Sequence, residues 1–451
     1  MSRNHLGLFL LAAALCAAPL QAGTLKVPSP AFPTIQSAVD AAASGDVVQV
    51  AKGRYLEHVI VQTAGIALRG KGVVVIDAAY AGDCILVEAD GVEISNLVLV
   101  NGGLGQLPLG SDGDGAEVAG GLHYIGHGAK LGKLTVHAPE AYGIWLEGLG
   151  SIDKCTVDGS FGYGIHVATN VPTSAVPASI TRCRTRRCLT GIFAQDGHFV
   201  LEKNSCELSQ SVGIELDLAA LPTDGGAVVP SVVSGNSASS SYVYAMLLSD
   251  NTGAGLLVEK NSCTGSGFGM LVSGLAVEVE SNTVADNFLG GMFLSASECH
   301  VAKNKVRGNA SFGIGVASFA SELSDGSGDG SNHLEANTVQ GNGGDGIRVS
   351  SNGNVLQDNL VKGNLGDGIE LQGGGVTSNE LQGNAVLGNG HDGIDNGALE
   401  SLLQDNVSKG NGGADLAGAG TGAGTVAEGS AGNVAGDGTG LETLQELDAG
   451  G

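Results

Sequence analysis

The sequence is short of positive charge. Its 21 Lys and Arg stand against 46 Asp and Glu, a formal net charge of −25. Nucleic acid is thereby set aside as a partner, because a phosphate backbone is bound by neutralising it with cations. Such a surface resists aggregation, and its clustered carboxylates suggest calcium as the cofactor to look for. Long apolar runs are missing after Leu6–Leu15, so no transmembrane segment is expected. Helical periodicity is missing too. No repeat holds a ten-residue helical pattern, which excludes leucine-rich and all-helical repeats. The cysteines match no zinc spacing. Tryptophan occurs once, at Trp145.

What is abundant is glycine, with 76 residues, and repetition. "NTVQGNGGDGIRVS" starts at Asn337, "NLVKGNLGDGIELQ" at Asn359 and "NAVLGNGHDGIDNG" at Asn384. A looser form, Gly then an apolar residue, runs from Gly121-Leu122 to Gly393-Ile394, with Ala245-Met246 filling the widest gap. Most steps are 21 to 27 residues, and two of 32 and 33 carry insertions. A fixed period of this size means stacked units rather than one globular core. Within each unit, short apolar runs alternate with period two and are separated by Gly, Asn, Asp and Ser, which reads as strands and tight turns. The glycines are assigned to those turns. Strands that return once per unit pair with their own copies, about 4.8 Å apart. An Asn column (Asn204, Asn236, Asn261, Asn282, Asn304, Asn337, Asn359, Asn384, Asn406) is placed to hydrogen-bond along the stack. The expected fold is all-β: a single-stranded parallel β-helix of about 13 or 14 coils.

At this point the N-x-V and G-I-x-V repeats resemble those of right-handed parallel β-helix proteins of the pectate-lyase-like superfamily. "PTIQSAVDAAASGDVVQVAKGRY", Pro33 to Tyr55, resembles the opening of that class. The resemblance covers Thr34 to Lys409 and implies a short helix plugging the first coil. It does not fix an activity, since such folds host lyases, hydrolases, epimerases, adhesins and non-enzymes. "GHG" at 126–128 is similar to one element of the polygalacturonase signature, but the companion N-T-D, D-D and R-I-K are absent, which excludes that family. "GHDGID" at 390–395 is similar to the D-P-H-D site of alginate epimerases and lacks its Pro and first Asp.

Residues 1–22 read as a secretory signal peptide, with Arg3 and His5 before the apolar run and a small-residue site after Ala22. A secreted, periplasmic or cell-surface location follows. Residues 23–75 are assigned to an N-terminal cap and first coils, 76–411 to the repeats, and 412–451 to a Gly/Ala-rich tail or decaying last coil. Seven Cys remain after the signal. Cys155 and Cys183 fall in the Asn column on successive coils, within disulfide range. Cys183 with Cys188 is the rival pairing. Cys206, Cys263 and Cys299 read as interior filler.

In G-I-x-V the Ile and Val point inward and x points out. Read down the stack, x gives His123, Trp145, His166, Phe193, Glu215, Leu247, Leu271, Phe293, Gly315, Arg348, Glu370 and Asp395. The first five gather flat rings beside proton-transfer groups, as a sugar site needs; stacked rings also stiffen a sheet face. Eight of the 21 basic residues lie between Lys130 and Lys203, and the loop 102–120 with "SDGDG" at 111–115 enters the same coils. The expectation is an acidic, uronate-containing polysaccharide as partner. His166, His123 and Glu215 are the catalytic candidates of a polysaccharide lyase or C5-epimerase. Trp145, Phe193, Arg182 and Arg184 are the substrate-binding candidates. A non-catalytic carbohydrate-binding or adhesive surface protein is the alternative. Further on, Asp345, Asp367 and Asp392 each precede a G-I pair and are the candidate Ca2+ ligands; Asp before Gly is also ordinary turn chemistry.

Overall fold

The computed structural model describes residues 22–428 apart from 104–118, 170–175, 219–229, 254, 318–329, 373–375, 399, 419–420 and 424–425. The chain winds into a right-handed solenoid with two parallel sheets, of 31 and 15 strands. Each coil gives one strand to the smaller sheet, here the site sheet. It gives two short strands to the larger sheet, here the first and second arms. One coil shows the plan: Ile347–Val349 in the site sheet, Val355–Gln357 in the first arm, Leu360–Lys362 in the second. The next coil repeats it in parallel register, with Ile347 opposite Ile369, Leu356 opposite Leu381 and Val361 opposite Val386. These inward residues are fully buried. Each contributes about 1.5–3 kcal/mol of transfer free energy, so the core is assembled coil by coil.

Fifteen site-sheet strands exceed the expected 13 or 14 coils. Three of the fifteen fall outside the run from Gly121-Leu122 to Gly393-Ile394: Val59–Val61, Ile85–Val87 and Leu416–Gly418. All three pair in register but lack the Gly-apolar signature by which coils were counted. Two further strands, Thr421–Ala423 and Val426–Glu428, continue the larger sheet. Residues 1–21, within the segment 1–22 read as a signal peptide, the "SDGDG" segment and the tail beyond 428 lie outside the described residues.

Corners are made by one residue in the left-handed region followed by one that points inward. Between the arms the bend falls on Lys133, Lys154, Arg182, Lys203, Lys260 and Lys303, all with φ between 54° and 56°. An L-residue is strained there, and the inward neighbour holds it in place. From Asn204 to Asn406 that neighbour is Asn. Asn304 accepts from the backbone N–H of Asn282 at 2.9 Å and from its Nδ2 at 3.0 Å. Its own Nδ2 donates to the Val279 carbonyl at 2.9 Å and to Asn337 Oδ1 at 3.0 Å. A second buried ladder (Asn287, Asn309, Asn342, Asn364, Asn389, Asn411) turns the second arm into the site sheet. A third (Asn332, Asn354, Asn379) leads into the first arm.

The glycine of G-I-x-V is not a turn residue. A Cβ on Gly346 would stand 2.3 Å from Val361 Cγ1, 2.6 Å from the Gly368 carbonyl oxygen and 2.7 Å from Asn364 Nδ2. The site sheet approaches the second arm too closely for a side chain, which is why the motif carries Gly at this point.

A helix does form, Ile35–Ala41, after the expected opening sequence. Thr34 caps its start, and Glu57 accepts the N–H groups of Ile35 and Gln36 at 3.0 Å each. Ile35, Ala38 and Val39 are buried in the core.

Candidate functional site

The outward column is one continuous ladder. His123 lies opposite Trp145, Trp145 opposite His166, His166 opposite Phe193, and Phe193 opposite Glu215. Parallel in-register pairing places like positions about 4.8 Å apart, so flat side chains in one column fall face to face. His123 and Trp145 stack with centroids 4.4 Å apart and planes 9° from parallel. Trp145 and His166 follow at 5.4 Å and 18°, His166 and Phe193 at 5.0 Å and 15°. Tyr142 packs edge-on to Trp145, and Tyr163 leans on His166 and Phe193.

This geometry changes what the rings can do. Both faces of Trp145 are taken by His123 and His166, so a sugar arriving from solvent meets edges rather than a platform. Trp145 Nε1 and His166 Nε2 lie at those edges, buried and without a hydrogen-bond partner among the described residues.

Around the first ring stands a polar network that the column alone did not reveal. His123 Nε2 meets Glu147 Oε1 at 2.7 Å, and His123 Nδ1 faces Asp83 Oδ2 at 4.0 Å. The Tyr142 hydroxyl donates to Asp83 Oδ1 at 2.8 Å, and the Gly120 N–H donates to the same oxygen at 2.6 Å. Burial raises the Asp83 carboxyl despite those donors and the two nearby His. Burial, and then Asp83, push the Tyr142 phenol well up. Glu147 was legible as an outward neighbour of Trp145 on one strand, Tyr142–Glu147, whereas Tyr142 shares the parity of the inward Ile144 and Leu146 and was not. Asp83 comes from the preceding coil and carried no signal.

His166 is driven down to about 4, first by burial and then by the charge of His123. It is therefore neutral at pH 7. Glu215 belongs to a different group. It lies two coils beyond His166, and burial followed by the charge of Asp217 raises its carboxyl. Asp217 is itself raised by burial and by Asp196. The structure thus brings His123 and His166 together, through Trp145, and leaves Glu215 at the far end of the ring stack.

Arg182 and Arg184 are not at this site. Arg182 is the corner residue between the arms, paired with Asp153 at 2.7 Å. Arg184 is on the second arm, paired with Glu207 at 2.9 Å. Proximity in sequence did not place them on the site sheet, because half a coil turns the chain onto another face. Among the described residues, no Lys or Arg bonds to the His123 network.

The Ca2+ candidates do not converge either. Asp345 Oδ1 accepts the N–H of Asp367 at 2.9 Å, and Asp367 Oδ1 accepts that of Asp392 at 2.8 Å. The other oxygen of Asp345 pairs with Arg348, which also reaches Glu370 at 2.7 Å. Each carboxylate caps the backbone one coil on, as turn chemistry provides, so these oxygens are committed rather than gathered round an ion.

The seven described cysteines are buried and unpaired. Cys155 and Cys183 do neighbour each other, but the Cys183 thiol accepts the Cys155 N–H at 3.4 Å, standing in for an Asn oxygen at that corner.

A family profile described as "right handed beta helix region" matches residues 120–274, 178–325, 221–371 and 326–408. The chain belongs to this β-helix family. No curated protein matches it by sequence. Among solved structures it is similar to the Azotobacter vinelandii mannuronan C-5 epimerase AlgE4 A-module, at 15% identity over 87% of this chain and 85% of that one, with a TM-score of 0.30. The periplasmic alginate epimerase AlgG matches at 14% over 83% and 80%, TM-score 0.37. A PL6 alginate lyase in complex with a trisaccharide matches at 11% over 86% of each, TM-score 0.42. These likenesses are of fold. No helix of the β-helix protein, among the described residues, is long and apolar enough to cross a membrane.

Proposed function

We propose that this is a secreted protein that binds an acidic polysaccharide across the site sheet and modifies it by removing the proton next to a uronate carboxylate, as a lyase or C5-epimerase. The observation that carries the reading is the network of His123, Glu147, Asp83 and Tyr142 at the head of the ring stack. An imidazole held between two carboxylates is oriented and can carry a proton during turnover. The Tyr142 hydroxyl supplies a second exchangeable proton. The buried edge atoms of Trp145 and His166 offer a donor and a hydrogen-bonding nitrogen to a sugar that displaces whatever covers them. With no cation in the network among the described residues, the uronate carboxylate would be met by a neutral donor, the Trp145 indole N–H. Phe193 borders the path from there towards Glu215.

A second reading has its own support. The rings spend their faces on one another, as a purely stiffening stack would, and that favours a non-catalytic binding or structural surface.

Polymers of mannuronate, guluronate and galacturonate separate the two. The full chain is incubated with each while the absorbance of a new unsaturated bond and deuterium exchange at C5 are followed. Turnover on one polymer is expected. It should fall by about 10²–10⁴-fold in His123→Ala and Tyr142→Phe, the usual scale for a lost acid or base. Arg184→Ala, on the other sheet, should turn over normally. If no polymer shows either product, the structural reading stands.

A further inference from the structure

Away from the ring stack, on the first arm of the larger sheet, two neighbouring strands bring together three metal-ligating side chains. His300 begins the strand His300–Ala302, and His333–Glu335 is its partner one coil on. His300 lies opposite His333, and Ala302 opposite Glu335. His333 and Glu335 are two apart on one strand, so both project from the outer face. The donor atoms of the three all lie within 4.8 Å of one another. His300 Nε2 and Glu335 Oε2 stand 3.3 Å apart.

We propose that His300, His333 and Glu335 bind a divalent transition-metal ion of the zinc class. Ligands about 2.0–2.2 Å from a tetrahedral zinc are separated from one another by about 3.3–3.5 Å, and the His300–Glu335 contact already has that span. Two imidazoles and one carboxylate suit zinc rather than calcium, which takes six or more oxygens. His333 Nε2 is buried and has no hydrogen-bond partner among the described residues, a cost that a coordinated ion removes. The local field favours a cation: Glu278 lies opposite His300 on the coil before, and Lys303, whose charge reaches Glu335, is itself paired with Glu280 at 2.7 Å.

The ion would tie two coils together at a chosen place. His300 and His333 are separated by a 33-residue coil, against 22 for the typical repeat. A bridge between adjacent strands therefore closes one of the longest loops in the solenoid. Three protein ligands leave a fourth position to water. The site is on a different sheet from the His123 network, so its fate and that of the proposed activity are independent.

The test uses the whole chain, stripped with chelator, titrated with zinc chloride by calorimetry and with cobalt(II) by visible absorption. One equivalent should bind, with the intense visible bands of four-coordinate cobalt, and the melting temperature should rise with free zinc. His300→Ala, His333→Ala and Glu335→Gln should each weaken binding at least tenfold, while His391→Ala leaves it unchanged. Should His333→Ala fail to fold, His300→Ala and Glu335→Gln, whose side chains are more exposed, still decide the matter. Absence of saturable binding overturns the site, as does equal affinity in the His300→Ala and Glu335→Gln chains.

Discussion

His166 is the side chain whose surroundings have the clearest consequence. Its ring is packed between Trp145 and Phe193, its Nε2 is unpartnered, and its folded value of about 4 lies below the ordinary 6.5. Between those two values the unfolded chain holds the extra proton and the folded chain does not, so stability falls as pH drops through this window. The loss is complete below about pH 4 and amounts to about 3 kcal/mol. Glu215 works in the opposite sense, since its raised carboxyl makes stability decline as pH rises through its titration. The wild type must therefore be compared with His166→Phe, which keeps a ring in the stack. Denaturant titrations at pH 7 and pH 4 should show the larger acid loss in the wild type. Equal losses would place His166 in contact with water. In the sequence, His166 was legible as an outward ring in a column. Its neutrality was not, because burial depends on what covers the column.

At the level of the strand and corner, the Asn ladders predict a sharp cost for interrupting them. Asn304→Ala removes four hydrogen bonds inside the solenoid and leaves the Asn282 N–H buried without its partner. The orphan costs about 1–3 kcal/mol and each lost bond about 0.5–1.5 kcal/mol, so about 3 kcal/mol or more should be lost in urea unfolding. A change under 1 kcal/mol would mean water enters the corner. The first ladder was plain in the sequence because one Asn recurs once per coil from Asn204 to Asn406, before an x-V pair from Asn282 to Asn384. The second was hidden in the same phrase: the Asn of "GN", at Asn342, Asn364 and Asn389, was read as a loop residue, although it is as buried as the first. The outward column could be read residue by residue, since period two fixes which side chains share a face. The placement of Arg182 and Arg184 could not, because arms and site sheet look alike in local pattern. Asp83 and Glu147 became partners of His123 only through the pairing of coils.

Over the whole molecule, each coil touches chiefly the coils beside it, so stability is close to a sum of local terms. The single tryptophan makes this measurable. Trp145 sits before the first Asn ladder begins at Asn204, in coils whose corner residues are Leu134, Cys155 and Cys183. Tryptophan fluorescence should therefore report the early coils and far-ultraviolet circular dichroism the whole stack. In a urea titration the two transitions should part. Coincident curves would mark a single cooperative unit.

The change of corner chemistry at Asn204 has one more consequence. Before it, coils differ from one another and carry the stack from His123 to Phe193 and the Asp83 network. After it, corner after corner closes with the same amide, and the 22-residue unit from Asn337 recurs from Asn359 in the same register. Length in that part is a count of interchangeable copies. Relatives could gain or drop a whole unit there, as a shaft is cut to measure, and leave the tool at its head untouched.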